Sequence, residues 1–264
     1  MTHQHAAGPW SLLATAVVLV LVVAAAGYAA ALWVTRHRSP WPTRHTALWY
    51  AGLLCAGAAL LGPVAEAARA SFTAHMLGHV LLGMLAPLLL VLGAPVTLAL
   101  RALPPARART LTRLLRQPAV RTVTHPVVAA ALNAGGLWLL YTTDLYHHVH
   151  TSALVHAAVH VHVVLAGYVF TASIAGVDPD PHRAPVAVRA AVLVTFMAAH
   201  SVLAKWLYVH PPAGVAVADA QAGAQLMYYA GDAVDVTLIV LLLAGWYTAA
   251  RPRDAAIAGP RAAS

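Results

Sequence analysis

Histidine and methionine recur along this chain at spacings that helices convert into shared faces. His75 and His79 stand four residues apart with Met76 beside the first, and His156 and His160 repeat the interval. At about 100° per residue, an i, i+4 pair lies about 40° apart on a helix, so each pair shares a face. Met76 falls about 60° from His79, at the edge of that face, whereas His162 falls about 160° from His160 and is expected to point elsewhere. Met197 and His200 form an i, i+3 pair further on, and Gln225, Tyr228, Tyr229, Asp232 and Asp235 fall within an arc of about 120°. Imidazole suits copper, zinc, iron and nickel, and a thioether selects for Cu(I). His75, Met76, His79, His156, His160 and His200 therefore read as a metal site, with copper as Cu(I) the expected ion. Zinc would leave Met76 idle. Asp232 and Asp235 would orient imidazoles or accept protons released on binding. Two other readings stay open from these residues: a single haem held by two of the histidines, and a metal-free role in which each His is an interhelical hydrogen-bond partner.

The elements that must carry these residues are membrane helices. Of 264 residues, 61% are hydrophobic and 9% charged, against ~25% charged in ordinary soluble domains, and mean hydropathy is +0.72. Those values exclude a soluble enzyme, a disordered chain and a disulfide scaffold; the single Cys55 has no partner within the chain and reads as packing. Seven runs approach the ~20 apolar residues a spanning helix needs: 10–34, 47–64, 74–100, 127–143, 152–174, 186–208 and 223–247. The third is long and interrupted by Pro87 and by Gly93-Ala94-Pro95, so a kink is expected at Pro87. The expected fold is all-α, a polytopic bundle of seven transmembrane helices, with a tail at 1–9, a membrane domain at 10–250 and a second tail at 251–264.

Charge sets the orientation. Fourteen of the sixteen Lys and Arg residues fall in alternate loops, Arg69 and Lys205 being the exceptions. The positive-inside rule then places the N-terminus outside and the C-terminus in the cytoplasm. The first run lacks a preceding positive charge and reads as a retained anchor rather than a cleaved leader. The six arginines between 101 and 121 read as retention charge, with anionic lipid as a further partner, and Asp178-Pro179-Asp180-Pro181 as a rigid turn. A sequence pI near 10.2 thus reflects topology and not a nucleic-acid partner. On the same map, twelve of the sixteen histidines lie outside or in the outer half of a span. His147, His148 and His150 in the outer loop between the fourth and fifth runs, and His3 and His5 in the tail, read as solvated polar residues. No phosphate loop, HExxH motif or nucleophile elbow is present, so no enzymatic activity is expected.

The run Phe72-Thr73-Ala74-His75-Met76-Leu77-Gly78-His79, followed by Ala86-Pro87-Leu88-Leu89 and Leu92-Gly93-Ala94-Pro95-Val96, resembles the CtaG family of bacterial cytochrome c oxidase assembly factors. The His156-x-x-x-His160 helix, the Gly176-Val177-Asp178-Pro179 loop and Gly231-Asp232 fit the same pattern, so the likeness covers roughly residues 40–250. The resemblance implies a multi-pass protein of the bacterial plasma membrane that helps mature a haem–copper oxidase. It also implies copper handling for the oxidase's binuclear centre, transient contact with an oxidase subunit and an outer copper donor. His75, Met76, His79, His156 and His160 match the family's motif positions.

Overall fold

A backbone in a bilayer has to satisfy its own hydrogen bonds, which restricts apolar runs to helix. The computed structural model describes residues 9–38, 40–180 and 182–250, and over them the chain is all-helical without a strand. The tail with His3 and His5, Pro181, and Arg251, Arg253 and Arg261 lie outside the described residues. In order the helices are α1 (Pro9–Thr35), α2 (Thr43–Leu60), α3 (Gly62–Ala67), α4 (Phe72–His79), α5 (Ala86–Leu92), α6 (Pro95–Ala102) and α7 (Pro105–Leu115). They continue as α8 (Pro118–Val123), α9 (Pro126–Thr142), α10 (Leu145–Thr151), α11 (Ala153–Ala175), α12 (Val186–Val209) and α13 (Val217–Ala250). Among the described residues, six stretches are long and apolar enough to cross a membrane: 9–35, 43–67, 72–92, 153–175, 186–209 and 217–250. The remaining apolar helix, α9, has 17 residues, or about 25 Å against a hydrocarbon core of about 30 Å.

The third run departs from the expected single kinked helix over 74–100. A π-helical turn at Val80–Leu85 separates α4 from α5, and the Ala86 N–H reaches back five residues to the Leu81 carbonyl. Proline explains the placement: Pro87 has no N–H for the Gly83 carbonyl four residues earlier, so the ladder widens before the proline instead of bending at it. That Gly83 carbonyl faces Gly167 of α11, where any Cβ would collide with it. The helix ends outright at Gly93-Ala94, with Ala94 at φ +50°, where the Tyr28 hydroxyl donates to the Gly93 carbonyl at 2.9 Å. Asp178, read from sequence as part of a turn, also caps α6. Its carboxylate accepts from the N–H groups of Val96 (3.2 Å) and Thr97 (2.7 Å) and from the Thr97 hydroxyl (2.6 Å).

The run from 72 to 92 is the axis of the bundle, 56% buried over its apolar window against 6% for α1, which lies at the periphery. Around that axis the core divides into two levels. Phe72, Met76, Leu140, Tyr141, Leu203 and Met227 form one at the histidine-rich end. Met84, Phe170, Ile174, Leu193, Phe196 and Leu238 form the other toward the arginine-rich end. On α13 the polar stripe does not face inward as a unit: Gln225 and Tyr229 are exposed, Asp232 is half-buried and Asp235 is fully buried. The buried face is taken instead by Gly223, Ala224, Met227, Gly231 and Val234, whose small members let α12 and α4 approach closely. The arginine-rich connection at 101–125 folds into α7 and α8, and Arg107, Arg109, Arg113 and Arg116 on it are exposed.

Candidate metal-handling site

The site begins with what fixes the start of α4. Ser71 is its N-cap, accepting from the Ala74 N–H at 3.4 Å. A second acceptor arrives from the far end of the sequence. The Asp219 carboxylate, in the first turn of α13, accepts from the N–H groups of Phe72 (2.7 Å) and Thr73 (3.0 Å) and from the hydroxyls of Ser71 (3.0 Å) and Thr73 (2.6 Å). A carboxylate at a helix N-terminus satisfies orphan donors and complements the dipole, so Asp219 anchors the helix that carries His75, Met76 and His79. Replacement by Leu, which accepts nothing, is expected to cost about 1–2 kcal/mol, read as a lower melting temperature in detergent; an unchanged melt would remove Asp219 from this positioning role.

Below that anchor, His75 Nε2 lies 3.1 Å from the Tyr141 hydroxyl, and the His75 ring is 5.2 Å from Tyr146 and 5.6 Å from His150 between centroids. His156 and His160 stack at 4.0 Å, with Trp10 of α1 edge-on to His156 at 5.2 Å. These residues surround a cavity of about 200 Å³ lined by Trp10, Arg69, His75, His150, His156 and His160. The hydrogen bonds leave donor atoms available there. His150 Nδ1 is 2.9 Å from the Tyr146 carbonyl and His160 Nδ1 is 2.8 Å from the His156 carbonyl. With Nδ1 the N–H donor in both, each keeps an Nε2 lone pair for a ligand. Tyr146, on the connecting helix α10, is held as the neutral phenol, its pKa pushed up to about 12 by burial and then by the Asp219 carboxylate.

A second level lies one turn further along α4. His79 and His200 face each other with ring centroids 6.0 Å apart and planes 25° from parallel, and Phe196 lies 6.0 Å from His200. Both histidines are buried, and His79 Nε2 and both His200 ring nitrogens are without a hydrogen-bond partner among the described residues. So are both oxygens of Asp235, one turn along α13 from Gly231. Glycine is required at that position, since a Cβ on Gly231 would stand 3.1 Å from His200 Nδ1 and closer still to the ring carbon. A small pocket of about 40 Å³, lined by His75, His79 and His160 among others, lies between the two levels.

The residues picked from sequence as one metal site therefore fall into two groups: His75, His156 and His160 around the larger cavity, and His79 with His200 beyond it. Among the described residues, no three His, Cys, Asp or Glu side chains converge as a ready-made metal cage. Met76 is fully buried in the core beside the cavity, its Sδ 3.9 Å from the Tyr141 hydroxyl. Met197 packs on the core level toward the arginine-rich end. His162 points away as expected, its Nε2 3.1 Å from the Leu132 carbonyl on α9, and Cys55 packs among Ala56, Ala59 and Leu82. Sequence reasoning missed Trp10, Arg69, Tyr141, Tyr146 and Asp219, and assigned His150 to solvent. For His150 a signal was present: it shares a helical face with Tyr146, four residues before it.

Comparison with known proteins adds an independent finding. The family model described as cytochrome c oxidase caa3 assembly factor (Caa3_CtaG) matches residues 26–249. The chain is similar to the Mycobacterium bovis protein Mb0105, 34% identical over 188 residues that make up 68% of this chain and 28% of that protein. It is likewise similar to the Mycobacterium leprae protein ML1998, 33% identical over 196 residues, 71% of this chain and 29% of that one. The matched segment thus spans under a third of the length of these curated relatives. No solved structure matches the chain.

Proposed function

Since the chain belongs to the cytochrome c oxidase caa3 assembly factor family, we propose that it receives Cu(I) as cargo at the histidine-rich end and passes it laterally to a haem–copper oxidase subunit. The observation that carries this reading is the set of imidazoles with uncommitted ring nitrogens at two successive depths, His75, His150, His156 and His160 first and His79 with His200 beyond. Neutral imidazole is a ligand for Cu(I), and Tyr141 holds the His75 ring through its Nε2, leaving Nδ1 toward the metal. The small pocket shared by His75, His79 and His160 supplies the step between depths. Met76, touching the Tyr141 hydroxyl, sets that hydroxyl from behind and places a soft thioether behind the lining of the small pocket. Asp232 and Asp235 lie along α13 beside the deeper level, where a carboxylate offsets the positive charge of an arriving ion.

In this reading the protein is a non-enzymatic, multi-pass component of the bacterial plasma membrane. Helix α9 is its seventh, thinnest crossing, and the arginine-rich end faces the cytoplasm. An outer copper donor loads the larger cavity and the oxidase subunit unloads the deeper pair. The test is a competition between purified protein in detergent and a chromogenic Cu(I) chelator, with an absorption spectrum recorded on the same sample. Retention of at least one Cu(I) per chain supports the proposal. Failure to compete for copper overturns it, and a Soret band in protein from haem-replete cells would favour a haem-binding role in its place.

A further inference from the structure

A further cavity is remote from the histidine levels. It lies at the arginine-rich end, among α8, the start of α9, the end of α11 and the start of α12, and measures about 440 Å³. Arg121, His125, His182 and Arg183 line it, with the single carboxylate of Asp180. That carboxylate is partly committed, accepting from the His182 N–H at 2.8 Å. Arg183 spends one N–H on the Asp178 carbonyl at 2.9 Å and retains the rest of its fork. The Arg121 side chain has no hydrogen-bond or ion-pair partner among the described residues. The wall is built, since Arg189 donates to the carbonyls of Ile174 (2.8 Å) and Ala184 (3.1 Å) and so pins the end of α11 against the segment that carries Arg183.

Two guanidinium groups converging on one open cavity form a phosphate-recognition arrangement, because the planar fork meets phosphate oxygens in pairs. The surroundings select the form of phosphate. The volume exceeds what an inorganic anion fills; Val188 lines it and Val127 follows the lining Pro126, and both are exposed apolar side chains at the starts of the apolar helices α12 and α9. We infer that this cavity binds the phosphate-bearing headgroup of an anionic phospholipid, with its acyl chains lying along the exposed valines of α9 and α12. The inference is independent of copper handling: it concerns the opposite end of the bundle and shares no residue with the histidine levels.

The full chain, purified in detergent, is titrated separately with phosphatidylglycerol, phosphatidylcholine and inorganic phosphate, with bound lipid counted by native mass spectrometry and stability followed by thermal shift. Wild type is expected to retain one phosphatidylglycerol per chain, and Arg121→Gln/Arg183→Gln to weaken that binding at least about tenfold. Arg36→Gln/Arg44→Gln, exposed at the end of α1 and the start of α2 and away from the cavity, is expected to leave it unchanged. Should the glutamine pair fail to fold, Arg121→Lys/Arg183→Lys asks the same question, because lysine keeps the charge but loses the fork; several-fold weaker binding is expected. Undiminished binding in the folded cavity variant overturns the assignment, as does equal retention of phosphatidylcholine. An equal thermal shift from inorganic phosphate alone also overturns it, in favour of a free-anion site.

Discussion

Protein carrying His75→Ala with His160→Ala is expected to lose at least about 100-fold in Cu(I) affinity while still folding. The two side chains sit on different helices, α4 and α11, and both line the larger cavity and the small pocket beyond it. Removing them strips both compartments of imidazole on the side where they meet. Both residues are half-buried, not core, so truncation enlarges an existing cavity instead of opening one in close-packed surroundings, and the stability cost stays at the low end for buried truncations. A second variant separates capture from transfer. His200→Leu leaves the larger cavity intact but removes the deeper pair, so the purified protein should still compete for Cu(I) while oxidase assembled in cells is copper-poor. If His75→Ala/His160→Ala lowers protein abundance and leaves the copper content of the remaining protein unchanged, the histidines serve helix packing and the copper reading fails.

The difference between the one site expected and the two levels observed shows what spacing can convey. An i, i+4 interval correctly placed His75 and His79 on one face of α4, but the same interval separates them by about 6 Å along the axis. That is enough for His75 to meet α10 and α11 while His79 meets α12. Which neighbour each one met depended on helix packing, and packing was set by glycines whose partners are far away in sequence: Gly231 against His200 and Gly167 against Gly83. Asp219 was invisible for the same reason, since its partners are 146 to 148 residues away. The apolar runs were legible because a bilayer leaves helix as the only solution for them. Pro87 was legible as a disturbance but not as a π turn, because the sequence does not state whether a missing N–H is accommodated by bending or by widening the preceding turn.

Asp235 gives the sharpest test of whether the deeper level is kept for stability or for use. The residue is fully buried, both carboxylate oxygens lack a hydrogen-bond partner, and its helix neighbours on that face are Val234 and Leu238. An unpaired buried carboxylate lowers stability whether it remains charged or is forced to hold a proton. Asp235→Leu, of similar reach and wholly apolar, is therefore expected to stabilise the protein by about 1–4 kcal/mol, visible as a rise in melting temperature of several degrees in detergent. Asp235→Asn, which removes the charge but leaves polar atoms unsatisfied, should fall between wild type and the leucine variant. The gain should come with a loss of copper in the assembled oxidase, because a group retained against its folding cost is retained for what it does with protons or cargo. A leucine variant less stable than wild type would mean that the carboxylate is paired in the folded membrane protein. Greater stability with full copper delivery would remove Asp235 from the transfer path and leave His79 and His200 to act without it.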